Sequence, residues 1–188
     1  MILVKKGNKN KFEQGLTLIE ASMVLALSAV VIAGAVMYYN SASESNKTQR
    51  AQSLLGGIQA GVQSVFATRP NYAGVSASVL ASTSAVPRAF IEASTNTIVN
   101  PWGGVVTVGA ASANRQYTVS FAGVPKGACG PLASADLGNS LVSVAVGTGT
   151  GAGTARSPGN ATFSQLILAD CVSGVTSDVV KTITWTFK

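Results

Sequence analysis

Residues 16–39 read LTLIEASMVLALSAVVIAGAVMYY, an apolar run whose only acidic or basic side chain is that of Glu20. As an α-helix the run spans about 36 Å, enough to cross the hydrocarbon core of a bilayer. The preceding stretch, MILVKKGNKNKFEQG, is short, polar and basic, with Lys5, Lys6, Lys9 and Lys11 set against Glu13. Lysines before the run and none immediately after it fit insertion with the N-terminus in the cytoplasm.

Three readings of this segment compete. A plain membrane anchor has no use for Glu20, because a carboxylate in hydrocarbon costs about 2.5–3.5 kcal/mol on insertion scales. A secretory signal peptide cut near Ala33-Gly34-Ala35 fits the basic start and the apolar run, although the run is long and carries an acid near its beginning. The third reading is a leader cut ahead of the run, with the apolar segment retained. Here Gly15-Leu16-Thr17-Leu18-Ile19-Glu20 resembles the type IV prepilin signature: a glycine, a hydrophobic residue, and a glutamate at the fifth place after the cut. The resemblance implies cleavage after Gly15 by a membrane-embedded prepilin peptidase on the cytoplasmic side, and N-methylation of Leu16. It is specific because a basic leader, a glycine before the run and a glutamate inside it coincide.

A physical argument for Glu20 stands beside the resemblance. Cleavage would leave a cationic α-amino group on Leu16 at the tip of an apolar helix. A buried ammonium needs a partner, and so does a buried carboxylate. If helices stagger in a filament core, Glu20 of one subunit meets the Leu16 amine of the next. Glu20 then sets register, as single buried polar groups do in coiled coils. A plainer role is also open: Glu20 near a helix N-terminus complements the helix dipole. The two are compatible.

Beyond Tyr39 the helical pattern continues with a changed face. Ala51, Leu54, Leu55, Ile58, Val62 and Val65 recur at three- and four-residue steps, and polar residues fill the other faces between Asn40 and Arg50. Residues 40–66 therefore read as an amphipathic continuation whose apolar side covers a sheet, and Arg69-Pro70 ends it. Residues 67–188 read as a globular head. Its first part, 67–100, is a long connection with helical turns expected around Ser76–Leu80 and Arg88–Ala93. Asn100-Pro101-Trp102-Gly103-Gly104 signals a turn. Strands are expected at Val105–Val108, Gln116–Ala122, Leu141–Val146 and Val179–Phe187. In the second, Tyr117, Val119 and Phe121 face one way; in the last, Ile183, Trp185 and Phe187 point inward. Short helices are expected at Cys129–Leu137, with Pro131 in the first turn, and at Phe163–Asp170. The glycine-rich stretch Gly147–Gly159 is expected to face solvent. Trp102, Tyr117 and Trp185 read as core aromatics.

The chain has two cysteines, Cys129 and Cys171, and no histidine. An even, minimal count beside an export signal points to one disulfide, and two reduced core thiols are the alternative. The net charge of +6 raises nucleic acid as a partner, but half of it sits in the leader region and the rest is scattered singly. No nucleic acid partner is expected. Gly147-x-Gly149-x-x-Ala152 is a loose dinucleotide motif with no strand–helix frame. The absence of histidine removes HExxH zinc sites and Ser-His-Asp triads. Glu92, Asp136, Asp170 and Asp178 are spread along the chain, and paired-carboxylate catalysis would need the fold to gather them. Asn46-Lys47-Thr48 and Asn160-Ala161-Thr162 match glycosylation triplets of the kind that arise by chance. No enzymatic activity, metal or cofactor is expected.

The whole layout is similar to that of the type IVb pilins, in particular the bundle-forming pilins of enteric bacteria. The strongest stretch is GLTLIEASMVLALSAVVIAGAVMYYNSASESNKTQ from Gly15 to Gln49, and the NPWGG turn and both cysteines agree. The leader is shorter than in many type IVb members, and Leu16 follows the cut where type IVa pilins have phenylalanine. The resemblance implies an α+β fold: a long helix, apolar half protruding, packed on an antiparallel sheet with a disulfide-bounded C-terminal region. It implies a major structural subunit that polymerises with identical copies into a surface filament for adhesion, aggregation or mating-cell contact. A minor pilin or a type II secretion pseudopilin is the rival within the class, and a secreted binding domain the rival outside it. The partners implied are other copies of the chain, the prepilin peptidase, the assembly machinery of the inner membrane and a surface receptor. The chain would sit in the inner membrane first and in an extracellular pilus afterwards.

Overall fold

The computed structural model describes residues 17–83, 85–149, 151, 153–173 and 180–188. The leader, Gly15, Leu16, Asp178 and Val179 lie outside the described residues. The chain divides into two compact units, Met1–Ala42 and Ser43–Lys188. Helix α1, Leu18–Phe66, supplies the described part of the first unit and the opening element of the second.

In the first unit every residue from Thr17 to 41 is exposed, including Leu18, Met23, Leu27, Val30, Ile32 and Met37. Ser22 and Ser28, within the apolar run, turn their hydroxyls back into the helix. Ser22 Oγ donates to the Ile19 carbonyl at 2.8 Å and Ser28 Oγ to the Val24 carbonyl at 2.7 Å. Such back-bonding satisfies the hydroxyls within the helix, so the serines add little polarity to its apolar surface.

The second unit continues with α2 (Ala77–Ser82), a 3₁₀ turn (Arg88–Phe90), β1 (Ile91–Glu92), β2 (Thr97–Val99), β3 (Val105–Ala111), β4 (Gln116–Val124) and α3 (Lys126–Ala133). It ends with β5 (Leu141–Thr148), β6 (Thr154–Arg156), α4 (Phe163–Val172) and β7 (Lys181–Phe187). The strands form one seven-stranded antiparallel sheet in the order β1-β2-β3-β4-β7-β5-β6. The last strand therefore enters the middle of the sheet, pairing Val119 with Trp185 on one side and Val144 with Trp185 on the other.

Alternation explains which face is core. Tyr117, Val119 and Phe121 of β4 and Ile183, Trp185 and Phe187 of β7 are buried, while the intervening Thr118, Ser120, Thr182, Thr184 and Thr186 are half-buried on the other face. Ala51, Leu54, Leu55, Ile58, Val62 and Phe66 form the buried side of α1 and join the same core. Each large apolar side chain buried there contributes about 1.5–3 kcal/mol relative to exposure. Tyr117 stacks on Phe187 at 5.1 Å between ring centroids, and Phe121 meets Trp185 edge-on at 5.1 Å.

Several expectations need correction. Arg88–Ala93 is helical only through Phe90; Ile91 and Glu92 pair with β2 as an edge strand. The helix at Cys129 begins three residues earlier, at Lys126, and ends at Ala133, so Pro131 lies in its interior. Pro125 starts it, its carbonyl accepting the N–H groups of Ala128 and Cys129. The donor Pro131 lacks would serve the Gly127 carbonyl, and Gly127 is exposed, so water reaches it. The glycine-rich stretch is not all solvent-facing loop: Thr154–Arg156 pairs with β5 and Gly147 is buried. Trp102 is half-buried at the rim of the core, whereas Tyr117 and Trp185 are fully buried.

Candidate assembly segment and the head that carries it

At the start of α1, Thr17 and Glu20 close on each other. Glu20 Oε2 accepts the Thr17 backbone N–H and the Thr17 hydroxyl, each at 2.9 Å, and the Glu20 N–H donates to Thr17 Oγ1 at 3.3 Å. This is a capping box: the side chains at the cap and three residues on satisfy backbone donors that the first turn leaves open. The plainer role for Glu20 is thus realised in the structure. Both bonds that Glu20 accepts fall on Oε2, so Oε1 keeps its acceptor capacity. Gly15 and Leu16 lie outside the described residues. The Thr-x-x-Glu spacing was present in the sequence and is the signal that finds the box.

The NPWGG turn is tied into the head at three points. Asn100 is buried; its Oδ1 accepts the N–H groups of Trp102 and Gly104, both at 3.0 Å, and its amide donates to the Ala122 carbonyl at 2.6 Å. Gly104 lies so close to β4 that an added Cβ would stand 1.8 Å from the Ala122 oxygen, which admits only glycine. The Trp102 indole N–H then donates to Glu44 Oε2 at 3.0 Å, while Lys47 Nζ donates to Glu44 Oε1 at 3.1 Å. The indole first, and the ammonium second, hold the Glu44 carboxyl below the usual glutamate range. Sequence reasoning marked the turn but missed Glu44, because nothing local links residues so far apart in the chain.

Cys129 of α3 and Cys171 of α4 form a disulfide with their Cα atoms 5.8 Å apart. Two further links hold the end of α4. Lys181 of β7 is buried, and its ammonium donates to the carbonyls of Ser173 at 2.6 Å and Asp170 at 3.1 Å. A cation on the last carbonyls of a helix satisfies them and complements its dipole. Arg156 of β6 grips the Asp170 carboxylate with two donors, at 3.0 and 3.2 Å. That hydrogen bonding with Asp170 raises the pKa of Arg156 further. Neither Lys181 nor Arg156 was singled out from the sequence; a lysine opening a strict strand alternation was the available signal. Among the described residues no group of three or more His, Cys, Asp or Glu side chains is placed to hold a metal ion. Glu92 lies on β1 and Asp170 on α4, while Asp136 lies in the connection between α3 and β5.

Comparison with known proteins matches this architecture to one family. A family model described as Bundlin matches residues 40–188. The major structural subunit of bundle-forming pilus from Escherichia coli O127:H6 (strain E2348/69 / EPEC) is 39% identical over 140 residues, covering 73% of this chain and 72% of the relative. The protein of the same description from Escherichia coli O111:H- matches with the same identity and coverage. Among solved structures, TcpA, a type IV pilin from Vibrio cholerae El Tor biotype, superposes with a TM-score of 0.55 at 14% identity, covering 76% of this chain and 99% of that one. At that identity the likeness concerns the fold alone, which is the type IV pilin fold: a long N-terminal helix on an antiparallel sheet, with a disulfide in the C-terminal region. Together, the family match over the head and the identity to two curated relatives show that this chain belongs to the bundlin family.

Proposed function

We propose that this chain is the major structural subunit of a type IVb pilus, cut after Gly15, methylated on Leu16 and polymerised through its N-terminal helix. The observation that carries the reading is the exposed first half of α1. From Leu18 to Tyr39 its large apolar side chains stand bare, a surface that requires a bilayer or other protein to cover it. The helix is long and apolar enough to cross a membrane. A membrane stage followed by a filament stage supplies both covers in turn. Both curated relatives are named major structural subunits of a pilus, which supports a major over a minor role. The role is structural, with no catalytic step assigned to any residue.

Glu20 has two tasks in this scheme. Through Oε2 it caps its own helix, and through Oε1 it meets the Leu16 ammonium of a neighbouring subunit. Removing the leader creates that ammonium, so processing and assembly use the same six residues. The copies stack by a non-closing helical operator through unlike surfaces. Adhesion, aggregation or mating contact would fall to exposed loops of the head.

Glu20→Ala tests the pairing. Leader removal should persist, measured as the mass of the membrane-bound chain, while the yield of sheared filaments falls about tenfold or more, as expected when one buried charge loses its partner. Filaments at normal yield would remove Glu20 from assembly.

A further inference from the structure

Where α1 ends, the following stretch, the β3–β4 turn and the end of β7 enclose an open groove of about 530 Å³, lined by Gln63, Arg69, Asn71, Tyr72, Arg115 and Lys188 among others. Three cations stand on its walls, and among the described residues no carboxylate side chain does. The two ion pairs among the described residues, Lys47–Glu44 and Arg156–Asp170, use none of the three. Arg69 lies over the Phe66 ring, 5.2 Å from its centroid. Stacking occupies a face of the guanidinium and leaves its N–H edge for a ligand. Asn71 Oδ1 already accepts the Ala73 N–H at 3.1 Å, so its amide hydrogens remain to be donated.

Arg115 reaches the groove from an unusual turn. Ser112, Ala113 and Asn114 all have positive φ, at 49°, 55° and 66°. Three successive non-glycine residues in the left-handed region are strained, and such strain persists only where surroundings enforce it. Here the Tyr72 N–H donates to the Asn114 carbonyl at 2.8 Å and the Ser112 hydroxyl to Gln116 Oε1 at 2.6 Å. The first of these bonds joins the two walls of the groove.

We propose that this groove binds a carboxylate-bearing sugar of an acidic polysaccharide. Two guanidinium edges suit a carboxylate, which they grip with paired donors. The amides of Asn71 and Gln63 suit sugar hydroxyls, and the half-buried Tyr72 supplies an apolar wall for a ring. The volume falls within the range of about 300–1,000 Å³ usual for small-ligand clefts. A nucleic acid would need a basic track along its backbone, whereas the other cations of the head, such as Arg50, Arg88 and Lys126, belong to separate elements. The acids of other copies are a poor match as well. Residues 43–188 carry nine basic side chains and five acidic ones, and of those acids Glu44 and Asp170 are already paired. The groove lies within the head alone, so the inference holds or fails independently of the polymerisation reading.

The test uses the full-length chain in detergent micelles at low salt, with polygalacturonate as probe and neutral dextran and duplex DNA as comparisons. The wild type should bind polygalacturonate and not dextran. Arg69→Gln/Arg115→Gln should weaken that binding about tenfold or more, the loss expected for a bidentate charged contact. Arg88→Gln/Lys126→Gln, which removes the same charge elsewhere, should stay within about twofold, as screened distant charges do. Arg69 and Arg115 are exposed, so the groove variant should keep its disulfide and thermal midpoint. If it misfolds, Lys188→Gln decides instead: a partial loss supports the site and no change overturns it. Absence of wild-type binding, equal loss in the control variant, or DNA binding of equal strength and equal arginine dependence would each overturn the proposal. So would binding by the micellar chain that disappears in sheared filaments, since the groove would then lie between subunits.

Discussion

Glu44 carries one donor on each carboxylate oxygen, the Trp102 indole and the Lys47 ammonium, and both favour its charged form. A depressed carboxyl pKa stabilises the fold above the unfolded value and loses that contribution as pH falls through the folded value. The side chain is 49% exposed, so solvent screening limits the effect to about 0.5 kcal/mol. Glu44→Gln should therefore melt about 1–2 °C below wild type at pH 7, and the gap should shrink only as pH falls below the ordinary glutamate range and through the depressed folded value of Glu44. A gap unchanged at acid pH would show that charge is not what Glu44 contributes. Tyr117 is the opposite case. It is fully buried, burial and then the neighbouring Tyr72 push its phenol pKa up, and its hydroxyl has no hydrogen-bond partner among the described residues. Deleting an unpaired buried hydroxyl while keeping the ring relieves a desolvation cost. Tyr117→Phe should leave stability unchanged or raise it by up to about 1 kcal/mol in urea titration; a clear loss would mean the hydroxyl has a partner in solution. The burial of Tyr117 was legible from period-two alternation. The Glu44–Trp102 bond was not, because a contact across 58 residues leaves no local pattern.

At the scale of elements, what the sequence made legible divides along the same line. The long helix, its end near Phe66 and the strands β3, β4, β5 and β7 follow from periodicity and turn residues, and each lies close to its expected place. β1, β2 and β6 did not, since strands of two or three residues have no period and exist only because a neighbouring strand pairs with them. α3 starts earlier than its sequence suggests, because Pro131 has the look of a first-turn proline while Pro125 fills the opening position. The cysteines were legible as a pair, and their surroundings were not. The disulfide closes a separation of 42 residues, for which loop entropy gives about 4 kcal/mol. The Lys181 and Arg156 links also hold α4, so loss of the disulfide alone should loosen the head without unfolding it. The double variant Cys129→Ser/Cys171→Ser should lose about 3–4 kcal/mol in urea unfolding under oxidising conditions and still show a cooperative transition. No loss would mean that those links suffice; complete unfolding would mean that they contribute little.

For the molecule as a whole, the two units answer to different surroundings. Ser43–Lys188 has its own core and buries the apolar faces of its strands and helix. The described part of Met1–Ala42 has no buried residue and needs a cover from outside. Family membership rests on the head, since the family model matches residues 40–188, whereas the assembly proposal rests on residues before them. The proposed cut after Gly15 joins the two, because it would keep the apolar helix with the head. N-terminal sequencing and intact mass of the subunit in sheared surface filaments address that cut directly. A single start at N-methylated Leu16 is the predicted result. A start near residue 36, after loss of the apolar run, would contradict the account.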